Sequence, residues 1–274
     1  MWQSSDLERK IFMRPTNCIF CGVALTSPGA QQPDSRTKEH VYARWFRDNV
    51  VNQKIKMFTS DGTTATMERQ PHLEALVNSS VCAECNNGWM STLETQVDPI
   101  FEKLTSGTDI SLLSREEVEI LARWTGKTAI VLGYVTPIPA IVPECIRKTF
   151  HADSPTPPHM RLFYAFIEKA DQTLEGGYLQ LRYGAEIPVL GSEGGSGYRF
   201  TLCLFNHCFT ADFPPILVGV RYDLRESCSA QIWPTFVHAG TSELSIPTPA
   251  PIGDVLHMIC SRIHIAFDIN ELHV

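Results

Sequence analysis

Two Cys-x-x-Cys pairs, Cys18-Ile19-Phe20-Cys21 and Cys82-Ala83-Glu84-Cys85, carry the strongest chemistry in this chain. At that spacing a tight backbone turn aims two sulfurs at one metal ion, and four thiolates from two such turns form the closed tetrahedral set of structural zinc. Gly22, directly after the first pair, offers the positive φ that suits a metal-binding knuckle. After the second pair come Asn86 and Asn87, either of which can cap the helix expected from the pattern beyond. Between the pairs lies Thr37-Lys38-Glu39-His40-Val41, an acid beside a histidine. Phosphodiester hydrolysis asks for a water made nucleophilic and a leaving oxygen whose charge is neutralised, and an imidazole beside one hard cation supplies both. Oxygen donors suit Mg2+ or Mn2+, while thiolates suit Zn2+. Lys38, Arg44 and Arg47 would then contact phosphate on either side of the base.

The order Cys-x-x-Cys, Glu-His-Val, then Val-Cys-x-x-Cys-Asn-Asn-Gly-Trp-Met-x-x-Leu-Glu resembles the HNH-type endonucleases. The likeness is to the bacterial and phage variant, whose treble-clef-like ββα-metal core is held by a four-cysteine zinc. It spans residues 17–94, about a third of the chain. What it implies is a metal-dependent endonuclease hydrolysing DNA, or RNA, with His40 as general base. Glu39 stands where the family often has Asp, a ligand of the catalytic metal, and Asn86 matches the second ligand at the start of the helix. Asn78 is the nearest candidate for the middle Asn of the family name. The chain departs from the family pattern at Ala43, where proline is common, and in its long span between His40 and Cys82. The alternative is an inactive zinc-stabilised module that binds nucleic acid or protein, with a structural Glu39-His40 pair.

The elements that must position these residues follow from pattern. Glu39 to Phe46 reads as the end of a strand turning into a short helix. The runs Val51 to Thr59 and Thr63 to Glu68, split by Asp61-Gly62, read as a hairpin inserted between the knuckles. Trp89, Leu93, Val97, Ile100, Phe101 and Leu104 fall on one helical stripe. Ser114 followed by Glu117 is a capping-box pattern that starts a second helix, apolar on more than one side and ending near Tyr134. A short helix or strand is expected over Asp6 to Met13. Beyond Met160 five short runs separated by Gly and Pro, Arg161 to Glu168, Tyr178 to Tyr183, Tyr198 to Asn206, Ile216 to Tyr222 and Ala230 to Phe236, predict an antiparallel sheet. A closing helix is expected over Ile252 to Ile265. The fold class is therefore α+β, with a zinc-stabilised nuclease-like domain over residues 1–106. A domain of helices and mainly antiparallel sheet follows over 107–274, its role recognition, regulation or oligomerisation, with a homodimer through it among the options.

Composition sets the outer bounds. The chain has 274 residues, 43% hydrophobic and 19% charged, which is the composition of a globular protein. No apolar run is long enough to span a bilayer, and the first residues lack a secretory pattern, so a cytoplasmic protein without a membrane partner is expected. Net charge is −7, yet the first 60 residues hold nine Lys and Arg against five Asp and Glu. A basic segment on an acidic body fits an enzyme that meets phosphates at one end. The five cysteines outside the two pairs are scattered, and in a reducing compartment they are expected to be small buried apolar residues.

Overall fold

The computed structural model describes residues 15–26, 32–49, 57–60, 65–69, 72–135, 142–151, 160–166, 177–184, 196–204, 207–213, 220–223, 230–233 and 264–267. The expected element over Asp6 to Met13 lies outside them, as does most of the expected closing helix. The chain divides into two compact units. One comprises Met1–Gln53, Pro71–Thr108 and Ser114–Pro157, the other Lys54–Gln70, Asp109–Leu113 and Pro158–Val274.

In the first unit, strand β1 (Glu39–His40) leads into helix α1 (Arg44–Asn49), as the sequence suggests. The hairpin strands β2 (Met57–Ser60) and β3 (Ala65–Arg69) belong to the second unit. Strand β4 (Val77–Asn78) returns to pair antiparallel with β1, Glu39 opposite Asn78 and His40 opposite Val77. A single helical turn, α2 (Ala83–Cys85), follows, then a widened π turn over Asn86–Met90 and helix α3 (Ser91–Thr105). The stripe Leu93, Val97, Ile100, Phe101 and Leu104 is buried, because apolar residues at three- and four-residue spacing share one helical face.

Helix α4 (Arg115–Gly133) starts at the capping box: Ser114 Oγ accepts from the Glu117 backbone N–H, and the Glu117 carboxylate accepts from that of Ser114. Every residue from Thr125 to Gly133 is buried, so the second half of α4 is a core helix. Phe101 and Trp124 meet edge to face at 5.3 Å, and Trp45 lies 5.0 Å from Phe101, joining α1, α3 and α4 in one aromatic cluster. A short helix α5 (Glu144–Lys148) completes the unit.

The second unit is built on a seven-stranded sheet. Its strands are β5 (Arg161–Phe166), β6 (Gly177–Gly184), β7 (Ser196–Leu204), β8 (His207–Phe213) and β10 (Ala230–Trp233), with the hairpin β2–β3, in the order β10-β5-β8-β7-β6-β2-β3. All neighbours are antiparallel except β2 and β6, which run parallel. A separate antiparallel pair joins β9 (Val220–Asp223) to β11 (His264–Phe267). His264 and Ile265, expected to end the closing helix, lie on strand β11 instead.

Strand β8, which the sequence pattern does not mark, lies inside this sheet between β5 and β7, and all seven of its residues are buried. Its polar side chains are satisfied by neighbouring strands. Thr210 Oγ1 lies 2.8 Å from Thr201 Oγ1, Asp212 accepts from Arg161 at 2.6 Å, and His207 Nδ1 lies 3.0 Å from the Tyr164 hydroxyl. Cys208, expected to be a free apolar residue, is disulfide-bonded.

Candidate metal centre and the Glu39-His40 site

The first knuckle is a closed turn in which the Gly22 N–H donates to Cys18 O at 3.0 Å and the Cys18 N–H to Val23 O at 2.8 Å. Gly22 has φ 79°, and a Cβ there would meet Lys148 Cε at 3.1 Å, so backbone and space both favour glycine. In the second knuckle Cys82 itself is the N-cap of α2, its sulfur accepting the Cys85 N–H at 3.4 Å. This corrects the expectation that Asn86 or Asn87 caps the helix. A cysteine sulfur turned back on its own turn fills that place, and Asn86 sits within the helical run, its N–H bonded to Cys82 O.

Backbone bonds between segments far apart in sequence bring the knuckles together. Ile19 N–H donates to Ser80 O, Ala83 N–H to Ser35 O, and Thr37 N–H to Val81 O. Arginines complete the frame: Arg36 bonds the carbonyls of Ser79 and Pro15, and Arg147 those of Val142 and Ile19. Two of the chain's basic groups thus serve as internal braces, bonding carbonyls.

The result is one metal-sized cluster. The sulfurs of Cys18, Cys21, Cys82 and Cys85 all lie within 4.8 Å of one another. Cys21 and Cys82 sulfurs are 3.6 Å apart, and a tetrahedron with Zn–S bonds of about 2.3 Å has edges of about 3.8 Å, so the donor set fits zinc. Charge and protons are shared unevenly among the four thiols. The hydrogen bond from Cys85 draws the Cys18 thiol down to about 4, whereas burial pushes Cys82 up to about 12. Cys85 is also raised, first because it donates to Cys18. A bound cation removes this imbalance by taking all four as thiolates.

His40 sits beside this frame, half-buried at the end of β1. Burial, and then the Arg47 guanidinium, lower its pKa, while Glu74 and Glu94 pull the other way. Of the three basic residues expected to meet phosphate, Lys38 is exposed, Arg44 is exposed and 3.4 Å from Asp48, and Arg47 is half-buried. Asn78, across from Glu39, is buried and fixed at both ends of its amide: Nδ2 donates to Val131 O at 3.1 Å and Oδ1 accepts from Ser80 N–H at 2.6 Å.

Glu39 is differently engaged from the sequence expectation. Its partner is Lys127 of α4, whose Nζ lies 3.4 Å from Glu39 Oε1 and 2.8 Å from Glu94 Oε1. Side-chain exposure is 0% for Lys127, 8% for Glu39 and 25% for Glu94. Burial works to lower the Lys127 pKa, but the two carboxylates outweigh it and hold the lysine as a cation. For Glu39, burial raises the pKa and Lys127 opposes it. The Glu39 carboxylate is thus committed to an internal ammonium, and it is not joined to Asn86 by any hydrogen bond among the described residues. Sequence reasoning missed Lys127 and the part played by Glu94. The signal was present: a lysine inside the otherwise uncharged run Thr125 to Gly133 needs a buried partner.

No family model, curated protein or solved structure matches the chain. No described helix is long and apolar enough to cross a membrane.

Proposed function

We propose that the first unit is a zinc-stabilised, HNH-like phosphodiesterase domain that cleaves DNA, with His40 taking the proton from the attacking water. The observation that supports this reading most is topological. An antiparallel strand pair, β1 with β4, is followed by a helix that grows out of the second zinc knuckle, and His40 sits half-buried on the first of those strands. A base must be rigidly held and still reach solvent, and this position meets both demands. Lys38 and Arg44, both exposed within four residues of His40, suit a polyanionic substrate. Mg2+ or Mn2+ is the cofactor the family resemblance implies.

A second reading is favoured by one observation, the burial of Glu39 against Lys127. If the acid of the Glu39-His40 pair is purely structural, the unit is a zinc-stabilised module that binds nucleic acid or protein. Plasmid cleavage with Mg2+ or Mn2+, and EDTA as control, separates the two. His40→Ala is expected to slow cleavage by about a hundred- to ten-thousand-fold with zinc content unchanged. Equal rates for parent and variant would assign the activity elsewhere, and zinc loss in the variant would make His40 structural.

A further inference from the structure

Helix α5 supplies neither a sulfur nor the base, yet it grips the first metal knuckle from outside. Its Arg147 donates from Nη1 to the Ile19 carbonyl, inside the Cys18-x-x-Cys21 turn, and from Nε to Val142 O at 2.8 Å. The guanidinium also lies over the Tyr134 ring, 5.5 Å from its centroid. Three contacts thus fix one planar group, and a rigid fork of donors is what lets it bond both carbonyls at once. The same helix meets the knuckle a second time, where Lys148 Cε lies 3.1 Å from the place a Gly22 Cβ would take.

The Ile19 carbonyl matters because the other half of its peptide is the Phe20 N–H. After Cys85, the backbone N–H groups of Cys21, Cys82 and Phe20 favour the Cys18 thiolate. A cation on the carbonyl end of the Ile19–Phe20 peptide polarises its N–H, and hydrogen bonds in such a chain strengthen one another. Four thiolates on one Zn2+ also leave a net negative charge, which a fixed guanidinium beside the knuckle offsets. Lys148 has no such link to a sulfur: it is exposed and paired with Glu144 at 2.7 Å.

We propose that Arg147 is a positioning residue of the metal centre: it holds the Ile19–Phe20 peptide so that its N–H serves the Cys18 sulfur, and thereby slows release of the metal, whatever reaction the unit performs. The test uses the full-length, zinc-loaded protein with a chromogenic chelator in excess, and the same protein loaded with Co2+ for its sulfur-to-metal charge-transfer band. Arg147→Met, which keeps a long stem and loses the fork, is expected to release zinc at least about tenfold faster than the parent, as loss of an outer-sphere partner does. Its charge-transfer band is expected to move to lower energy, because a sulfur with a weaker N–H donor gives up electron density more readily. Arg147→Lys keeps the charge but cannot bond Val142 and Ile19 together, so it should also release zinc faster than the parent. Lys148→Met, and Leu121→Ala at a fully buried site on α4, should keep the parental band. The proposal is overturned if Arg147→Met keeps the parental release rate and band. It is equally overturned if Leu121→Ala, at the same loss of stability in urea, releases zinc as fast and shifts the band as far, since Arg147 would then act through stability alone. Should Arg147→Met fail to fold, Arg147→Lys decides, and parental release from that variant overturns the proposal.

Discussion

The two units solve the problem of buried polarity in opposite ways. In the second, polar side chains are matched within the sheet: Arg161 with Asp212, Thr201 with Thr210, Tyr164 with His207, each pair on adjacent strands. Strand register brings these pairs together. In the first unit the two strands β1 and β4 are two residues each, too short to fix anything by register. There, position is set by groups far apart in sequence: four sulfurs, two bracing arginines, and a lysine 88 residues from its glutamate. A large sheet spreads its specificity over many weak pairs, whereas a small strand pair concentrates it in a few strong ones. The contrast predicts where single changes do most harm.

The largest effect falls on the sulfur cluster. Cys82→Ser, or extraction of the metal, removes a ligand set whose apparent binding free energy in small zinc domains is about 10–16 kcal/mol. We expect about one zinc per chain by elemental analysis, and collapse of the Trp45–Phe101–Trp124 cluster in the variant, seen as a shift of tryptophan emission. Amide protection in β5, β7 and β8 should survive, because those strands hold one another by register. Loss of protection there in step with zinc would break the comparison.

Next come two core substitutions of comparable size. Lys127→Ala leaves Glu39 buried without its counter-ion, which costs about 3–5 kcal/mol. Phe213→Ala, which removes the partner of Phe200 at 6.1 Å in the sheet, costs a similar ~3–5 kcal/mol through the cavity left behind. The two differ in what repairs them. Adding Glu39→Gln to Lys127→Ala should recover part of the loss, since the orphaned charge goes, while no neighbouring polar change can refill the Phe213 site. Urea unfolding of the four proteins checks this, and equal recovery in neither case would remove the charge explanation.

How much of this was legible in the sequence follows from the same contrast. The four-sulfur cluster could be read because its cysteines come as two local pairs, Cys18/Cys21 and Cys82/Cys85, each a complete turn. The Ser114/Glu117 box and the stripe on α3 are equally local and fall where pattern places them. Strand β8 was hidden because His207, Thr210 and Asp212 look like solvent-facing residues until Tyr164, Thr201 and Arg161 are set beside them. Lys127 was hidden for a related reason. The pattern of α4 correctly gives a buried helix, but only the fold reveals that β1 and α3 deliver one carboxylate each to its single charge. Asn86 was misplaced as a cap because the helical turn already begins after Cys82, four residues earlier, where the sulfur accepts the Cys85 N–H.

The smallest expected effect lies at the start of α4, where the charges of the Lys127 cluster recur on the surface. Glu117 accepts from Lys103 at 2.5 Å and closes the capping box with Ser114. The Lys103 hydrogen bond, and then the Ser114 backbone N–H, hold the Glu117 carboxyl below the usual carboxylate range. A carboxyl with a lowered folded-state pKa stabilises fully above its unfolded value, about 4.3, and that contribution is lost as pH falls through the folded value. Ser114→Ala should cost about 1 kcal/mol at neutral pH by removing one side-chain cap. Lys103→Ala should cost at most about 1 kcal/mol, since half of the lysine side chain is in solvent, and 1 M salt should erase most of it. The Lys103→Ala difference should shrink in urea melts below about pH 4, where the Glu117 carboxyl becomes protonated, whereas the Ser114→Ala difference, which rests on a backbone N–H donor, should persist. The Lys127→Ala loss, by contrast, should barely respond to salt, because ions cannot screen a pair from which water is excluded. Equal salt sensitivity at Lys103 and Lys127 would mean that the Glu39–Lys127–Glu94 cluster is solvated, and the distinction between the two kinds of ion pair would fall.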